Sequence, residues 1–465
     1  MEREKLGSRL GFILLSAGCA IGCGNVWKFP WMAGQYGGGA FVLIYLICLV
    51  ALGLPIMVME FSLGRASQAS PIGIHKKLQK PGQKWHWHGK MALVANFVLM
   101  MFYTSVTGWM LYYFVKFVMG DMTGLSAKSC AAQFGNMLSS PGVMVGFMAI
   151  VVVLGFVILS FGLQKGVENV TKYMMLALFG LMIVLAVNSF TLEGAKEGLA
   201  FYLKPDLSKI DGNVVVGAMN QAFFTLSLGI GSMAIFGSYI GRERSLMGET
   251  LNILGLDTFV ALMAGLIIFP ACFTYDIEAT AGPGLLFESM ATVFNNMAGG
   301  RFWGSLFFLF MFFAAMSTII AVFENILAMI REITGWSRLK GCMICGVLVF
   351  VLSIPCALGF NLLSGFVPFA SGSGVLDLED FLVSNLCLPI GALLYLLFCV
   401  SKKGWGFDNF LAEANAGKGL KMPRFLKPYL TYVLPVIIIA IFFIGILNFP
   451  FADNFTIFGW IKSLF

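Results

Sequence analysis

The chain has 465 residues, of which 59% are hydrophobic and 11% charged, and its net charge is +7. Soluble globular chains carry about 25% charged residues, so the composition excludes an ordinary soluble domain and points to a membrane protein. The ten cysteines lie mostly in apolar runs, which excludes a secreted disulfide framework. Cys342-Met-Ile-Cys345 has metal-like spacing but no second pair, and it reads as packing.

The N-terminus, Met1 to Arg9, is short and charged, with no small-residue cleavage site after it. Apolar runs of spanning length follow near 10–34, 39–63, 91–119, 142–162, 170–189, 214–238, 251–275, 302–331, 341–361, 382–400 and 429–449. The first carries Gly18, Gly22, Gly24, Asn25 and Lys28 inside it. Taken alone, its glycines fit a close helix-packing face as well as an opened helix. The sixth is interrupted in the same manner, from Phe224 to Ser232. Two glycine-interrupted spans at corresponding places in two halves point to a transporter binding site. The expected fold is an all-α integral membrane protein of five plus five helices in inverted repeat, plus one C-terminal helix. That is one transmembrane domain over 1–465, with repeats near 10–189 and 214–400 and the extra helix near 429–449.

With the N-terminus inside, 22 of the 30 Lys and Arg fall on the inner side and 8 on the outer. This bias predicts a cytoplasmic N-terminus, an outer C-terminus and a plasma-membrane location. It also assigns the positive charge to anionic lipid rather than to nucleic acid. The inner loop 64–90 holds His75, His86 and His88, which read as a solvated loop. Cys130 reads as a loop cysteine. The outer stretches 188–213 and 276–301 are long enough for short helices. Asp276 to Phe294, centred on Gly282-Pro283-Gly284, reads as a re-entrant lid, and the tail after Asp453 as interfacial.

Ionisable groups at membrane depth are costly and draw attention to function. Glu60 suits a buried acceptor for backbone N–H groups freed where the sixth span opens, or an interfacial acid. Asp257 needs a partner, and a hard cation held by oxygens would serve. Glu324 reads as an acid near the inner end, and Asp380 as a helix N-terminal acid. Thr225, Ser227, Ser317 and Thr318 add hydroxyls that, with opened carbonyls, make an all-oxygen set. No paired aspartates, His-Glu motif or Ser-His pair fall at one depth, so the enzyme reading is weak.

Several motifs resemble the neurotransmitter:sodium symporter family, in its eleven-helix bacterial amino-acid transporter subgroup. They are Arg9-Leu10-Gly11-Phe12, Gly24-Asn25-Val26-Trp27-Lys28-Phe29-Pro30, Gly37-Gly38-Gly39-Ala40-Phe41, Gly53-Leu54-Pro55 with Glu60 and Gly64-Arg65, Gln221 with Phe224 to Gly231, and Gly282-Pro283-Gly284-Leu285. The resemblance covers nearly the whole chain. It implies sodium-coupled symport of a neutral hydrophobic or aromatic L-amino acid, with two sodium ions and no enzyme activity.

The resemblance also implies roles. A first sodium is held by the Ala20 carbonyl, Asn25, Thr225, Asp257 and the substrate carboxylate. A second is held by the carbonyls of Gly18, Ile21 and Ala314 with the hydroxyls of Ser317 and Thr318. Tyr103 bonds the substrate carboxylate, and Phe224 lids the site. Gly22 leaves room for that carboxylate. The ammonium meets carbonyls of the opened spans near Ala20 and Gly24. The side chain meets Leu99, Val106, Phe224, Ser227, Ile230, Ile319 and Val322. The outer gate is Lys28 with Asp380, and the inner gate is Arg3 with Glu332 near Tyr239. Asp257 stands where many members have asparagine, and Ala261 where chloride-dependent members have serine, which implies chloride independence. Lys28 replaces the usual arginine and lacks its planar fork, so the outer gate is expected to be looser. Leu6 stands where the family often has tryptophan, which leaves the packing of the inner gate less defined. A binding-only sensor or a channel on the same fold is the rival reading.

Overall fold

The computed structural model describes residues 6–276, 285–453 and 455–463. Among them there is no β-strand; the ordered backbone is helical. Nine helices are long and apolar enough to cross a membrane: Gly39–Ser67, Trp87–Met119, Pro141–Ser160, Leu163–Phe190, Leu246–Thr274, Gly300–Thr334, Arg338–Leu358, Val375–Val400 and Arg424–Leu447. Together with the two broken segments described next, they are called spans one to eleven in chain order.

Span one is a bent pair, Arg9–Ala20 and Gly24–Gln35, with 51° between the halves. Ser8 opens it by accepting the Gly11 N–H at 2.9 Å, as an N-cap serine does. Glu168 holds the same end, accepting from the Gly7 N–H at 2.7 Å and the Ser8 hydroxyl at 2.9 Å. Span six comprises Gly212–Thr225 and Ser232–Gly237, and neither piece reaches spanning length. Between them Ser227, Gly229 and Gly231 have φ of 49°, 94° and 80°. Two glycines supply left-handed turns that a side chain resists, so the helix stops there rather than bending. The interrupted span expected over 214–238 is thus two short helices with a six-residue break. Among the described residues the nine helices and the bent pair reach spanning length, and the second interruption falls where the sequence places it.

Spans three and eight are the longest helices, and they pack against each other. The broken segments of spans one and six pack against span eight, where protein can satisfy non-helical backbone at this depth.

The outer stretch 188–213 carries the short helices Ala195–Leu203 and Leu207–Lys209. Of the expected lid, Gly282-Pro283-Gly284 lies outside the described residues, and the part that follows is helical over Leu285–Met290 and Ala291–Asn296. The tail holds a short helix, Ile457–Ser463.

Two expectations are corrected. Cys130 is not in a loop: it is buried in the helix Ala127–Leu138. His75 and His88 are not solvated either. Both are buried, and their rings hydrogen-bond at 2.9 Å. The apolar faces of spans three and ten close over them, which the polar composition of the loop concealed. Cys342 and Cys345 are buried in span nine, and no metal-type cluster occurs among the described residues.

Candidate functional site

The break in span one turns carbonyls toward span eight. The Ser317 hydroxyl lies 2.9 Å from the Gly18 carbonyl, 3.3 Å from that of Ile21 and 2.9 Å from that of Ala314. The Thr318 hydroxyl lies 3.2 Å from the carbonyl of Gly18, 3.3 Å from that of Cys19 and 3.2 Å from that of Ile21. A helix offers its carbonyls to its own N–H groups, so such a convergence needs the break. Two hydroxyls and several carbonyls, all buried and uncharged, fit a hard monovalent cation.

A second cluster surrounds Asp257 of span seven, which is fully buried. Asn25 donates to its carboxylate at 2.8 Å, the Thr225 hydroxyl at 3.2 Å and the Tyr45 phenol at 3.4 Å. Asn25 also accepts the Gly22 N–H at 3.0 Å. Spans one, two, six and seven thus meet on one carboxylate. A buried carboxylate with neutral donors only carries an uncompensated charge, and a cation among these oxygens compensates it.

The two clusters flank the gap between spans one and three. Tyr103 of span three accepts the Cys23 N–H through its hydroxyl at 2.8 Å. A Cβ on Gly22 would lie 2.1 Å from that hydroxyl and 2.4 Å from the Thr318 hydroxyl. Only a glycine permits this approach. A small cavity opens here, lined by Ala20, Gly24, Leu99, Tyr103, Phe224, Ser227 and Ile230 among others. Phe224 and Tyr103 also line a second cavity, together with Val106, Lys28 and Asp380. Ile319 and Val322 are fully buried on span eight and line neither space.

The opened segment of span six is held at both poles. Glu60 accepts the Gly229 N–H at 2.6 Å. His88 meets the Gly229 carbonyl at 3.1 Å, and Asn96 meets the Ile230 carbonyl at 2.9 Å. Three of the freed groups thereby find side-chain partners, as burial favours.

Lys28 lies 3.5 Å from Asp380 and 4.2 Å from the Phe224 ring centroid. One ammonium thus touches both the acid and the Phe224 ring. Arg3, expected at the inner gate, lies outside the described residues. Glu332 accepts the Ser70 N–H at 2.7 Å. Tyr239 donates to Glu324 at 2.9 Å, and Glu324 pairs with Arg338 at 2.5 Å. Glu324 is therefore a buried, paired acid.

Sequence reasoning missed Tyr45, Arg338, and Val383 and Leu388 of span ten, which complete the small cavity. Tyr45 offered a signal, a phenol inside an otherwise apolar run. Val383 and Leu388 offered none.

The chain is similar to known sodium-dependent transporters over nearly its whole length. The model of the sodium:neurotransmitter symporter family matches residues 3–135 and 117–464. The sodium-dependent transporter YhdH of Bacillus subtilis is 36% identical over 448 residues, covering 95% of this chain and 98% of that protein. A sodium-dependent transporter of Haemophilus influenzae is 32% identical over 458 residues, covering 95% and 98%. Among solved structures, MhsT in complex with L-phenylalanine superposes with a TM-score of 0.87 at 35% identity, covering 95% of this chain and 99% of that one.

Proposed function

The chain belongs to the sodium:neurotransmitter symporter family, and from that premise we propose that it carries a neutral, hydrophobic or aromatic L-amino acid into the cell with two sodium ions and without chloride. It is a multi-pass membrane protein and a sodium-dependent symporter, not an enzyme. The finer reading rests chiefly on one observation. The Tyr103 and Thr318 hydroxyls, both against Gly22, line a space together with Leu99, Phe224 and Ile230. A polar pole that accepts a carboxylate and an apolar remainder suit an α-amino acid with an apolar side chain.

In this reading the carboxylate lies between the Tyr103 hydroxyl and the first sodium, which is held by Ala20, Asn25, Thr225 and Asp257. The second sodium lies among Gly18, Ile21, Ala314, Ser317 and Thr318. Sharing one sodium couples the two ligands, and the coupling is reciprocal. Asp257 supplies the fixed negative charge that chloride supplies elsewhere. Phe224 and the Lys28–Asp380 pair close the outer side. Arg3, Glu332 and Tyr239 belong to the inner gate, joined by Glu324 and Arg338. Each sodium gains about 2.3 kcal/mol per 100 mV on moving inward, which drives accumulation. The N-terminus is cytoplasmic and the C-terminus outside, in the plasma membrane. The likeness to MhsT with its L-phenylalanine supports an aromatic substrate.

A thermal-shift panel of the twenty amino acids tests the substrate class, each in sodium and in choline. Ligands that bind only the folded state raise its melting temperature by mass action. The expected result is a shift from phenylalanine, leucine or their like, in sodium alone. A shift from charged amino acids, or one equal in choline, overturns the reading.

A further inference from the structure

His75 lies in the short inner helix Pro71–Leu78, and His88 near the start of span three. His75 Nε2 and His88 Nδ1 are 2.9 Å apart, and His88 Nε2 is 3.1 Å from the Gly229 carbonyl. The tautomers follow. A carbonyl only accepts, so His88 Nε2 carries a hydrogen. A neutral His88 then presents a bare Nδ1, and His75 Nε2 donates to it. That leaves His75 Nδ1 bare, buried and without a hydrogen-bond partner among the described residues.

We propose that His88 is a positioning residue for the transport cycle, fixing the Gly229 carbonyl at the break of span six, and that His75 sets its tautomer from the inner loop. Glu60 holds the N–H of the same residue, so the break is clamped from both sides of Gly229. The pair thereby links the inner face to the backbone that lines the small cavity.

The surroundings favour the neutral pair. Tyr395 and Phe398 of span ten pack on the rings, with centroids 5.9 Å and 4.6 Å from that of His75. Tyr395 also lies 4.2 Å from His88. The titratable groups around the pair are His86 from the loop and Tyr395 from span ten, with Glu60 of span two beside Tyr395 and on the Gly229 N–H. Glu332 of span eight crowds the Pro71–Leu78 helix at Gly73. Burial and the neighbouring His88 and His86 rings hold His75 well below the ordinary histidine range. The clamp is therefore strongest above that range and weakens as pH falls below about 6.5, the ordinary value. Taking one proton on opening lowers protection up to about tenfold per pH unit there.

Hydrogen–deuterium exchange of the full chain in detergent tests this, without any amino acid, so the outcome is independent of the substrate reading. Peptides covering 226–231 are followed at pH 7.5 and 5.5, corrected for intrinsic exchange. His88→Ala is expected to lose roughly tenfold protection in these peptides at pH 7.5, the worth of about one hydrogen bond. Wild type is expected to lose about tenfold on acidification, and His75→Gln/His88→Gln to lose less than about twofold. Peptides from 141–160 report retained folding. Wild-type protection in His88→Ala, or a wild-type pH response in the double variant, overturns the proposal.

Discussion

Asp257→Asn is expected to raise the sodium concentration for half-maximal substrate binding by about 10- to 100-fold, the worth of a hydrogen bond to a charged group, some 1.5–3 kcal/mol. The substitution is close to isosteric. Asn25 still finds an acceptor at 2.8 Å, so the contacts among spans one, six and seven survive. What is removed is charge. Asp257 is fully buried and faces the neutral donors Asn25, Thr225 and Tyr45, so the amide leaves a site with no counter-charge for a cation. Adding Ala261→Ser places a hydroxyl one turn further on the same helix. The double variant is expected to regain sodium affinity in chloride and not in gluconate. Sodium titrations of binding in both anions read this directly. An unchanged half-saturation in Asp257→Asn removes this residue from the sodium site.

Gly22→Ala is expected to abolish binding, weakening it by more than about 100-fold, while the protein still folds. The added methyl would lie 2.1 Å from the Tyr103 hydroxyl and 2.4 Å from that of Thr318. Overpacking costs about 1–3 kcal/mol in itself. Here the groups displaced are also the proposed carboxylate partner and a proposed ligand of the second sodium, so one methyl disturbs both. Gly146→Ala in span four is the control, because its Cβ would meet nothing within 4 Å. Equal binding by Gly22→Ala and Gly146→Ala would place the substrate elsewhere.

The broken spans were legible because glycine and polar residues stand out inside apolar runs. Gly22, Asn25, Thr225 and Asp257 could be named for the same reason: each is unusual for its depth. The apolar wall was less legible. Ile319 and Val322 were expected at the cavity, yet they lie buried off it, whereas Val383 and Leu388 line it unannounced. A helix hydrophobic all round carries no amphipathic stripe, so its sequence does not reveal which face turns inward. The histidine pair was hidden for the opposite reason. Its loop is basic and polar, and nothing local shows that span ten packs over it. Arg338 likewise pairs with Glu324 only because spans eight and nine turn back on each other at their inner ends.

The most direct test of sodium-coupled amino-acid symport is uptake of labelled L-phenylalanine into proteoliposomes, with an inward sodium gradient and gluconate replacing chloride throughout. The account predicts accumulation above the external concentration, abolished when the sodium gradient is collapsed. Uptake that only equilibrates, or that proceeds equally without sodium, would contradict it and favour a channel on this fold.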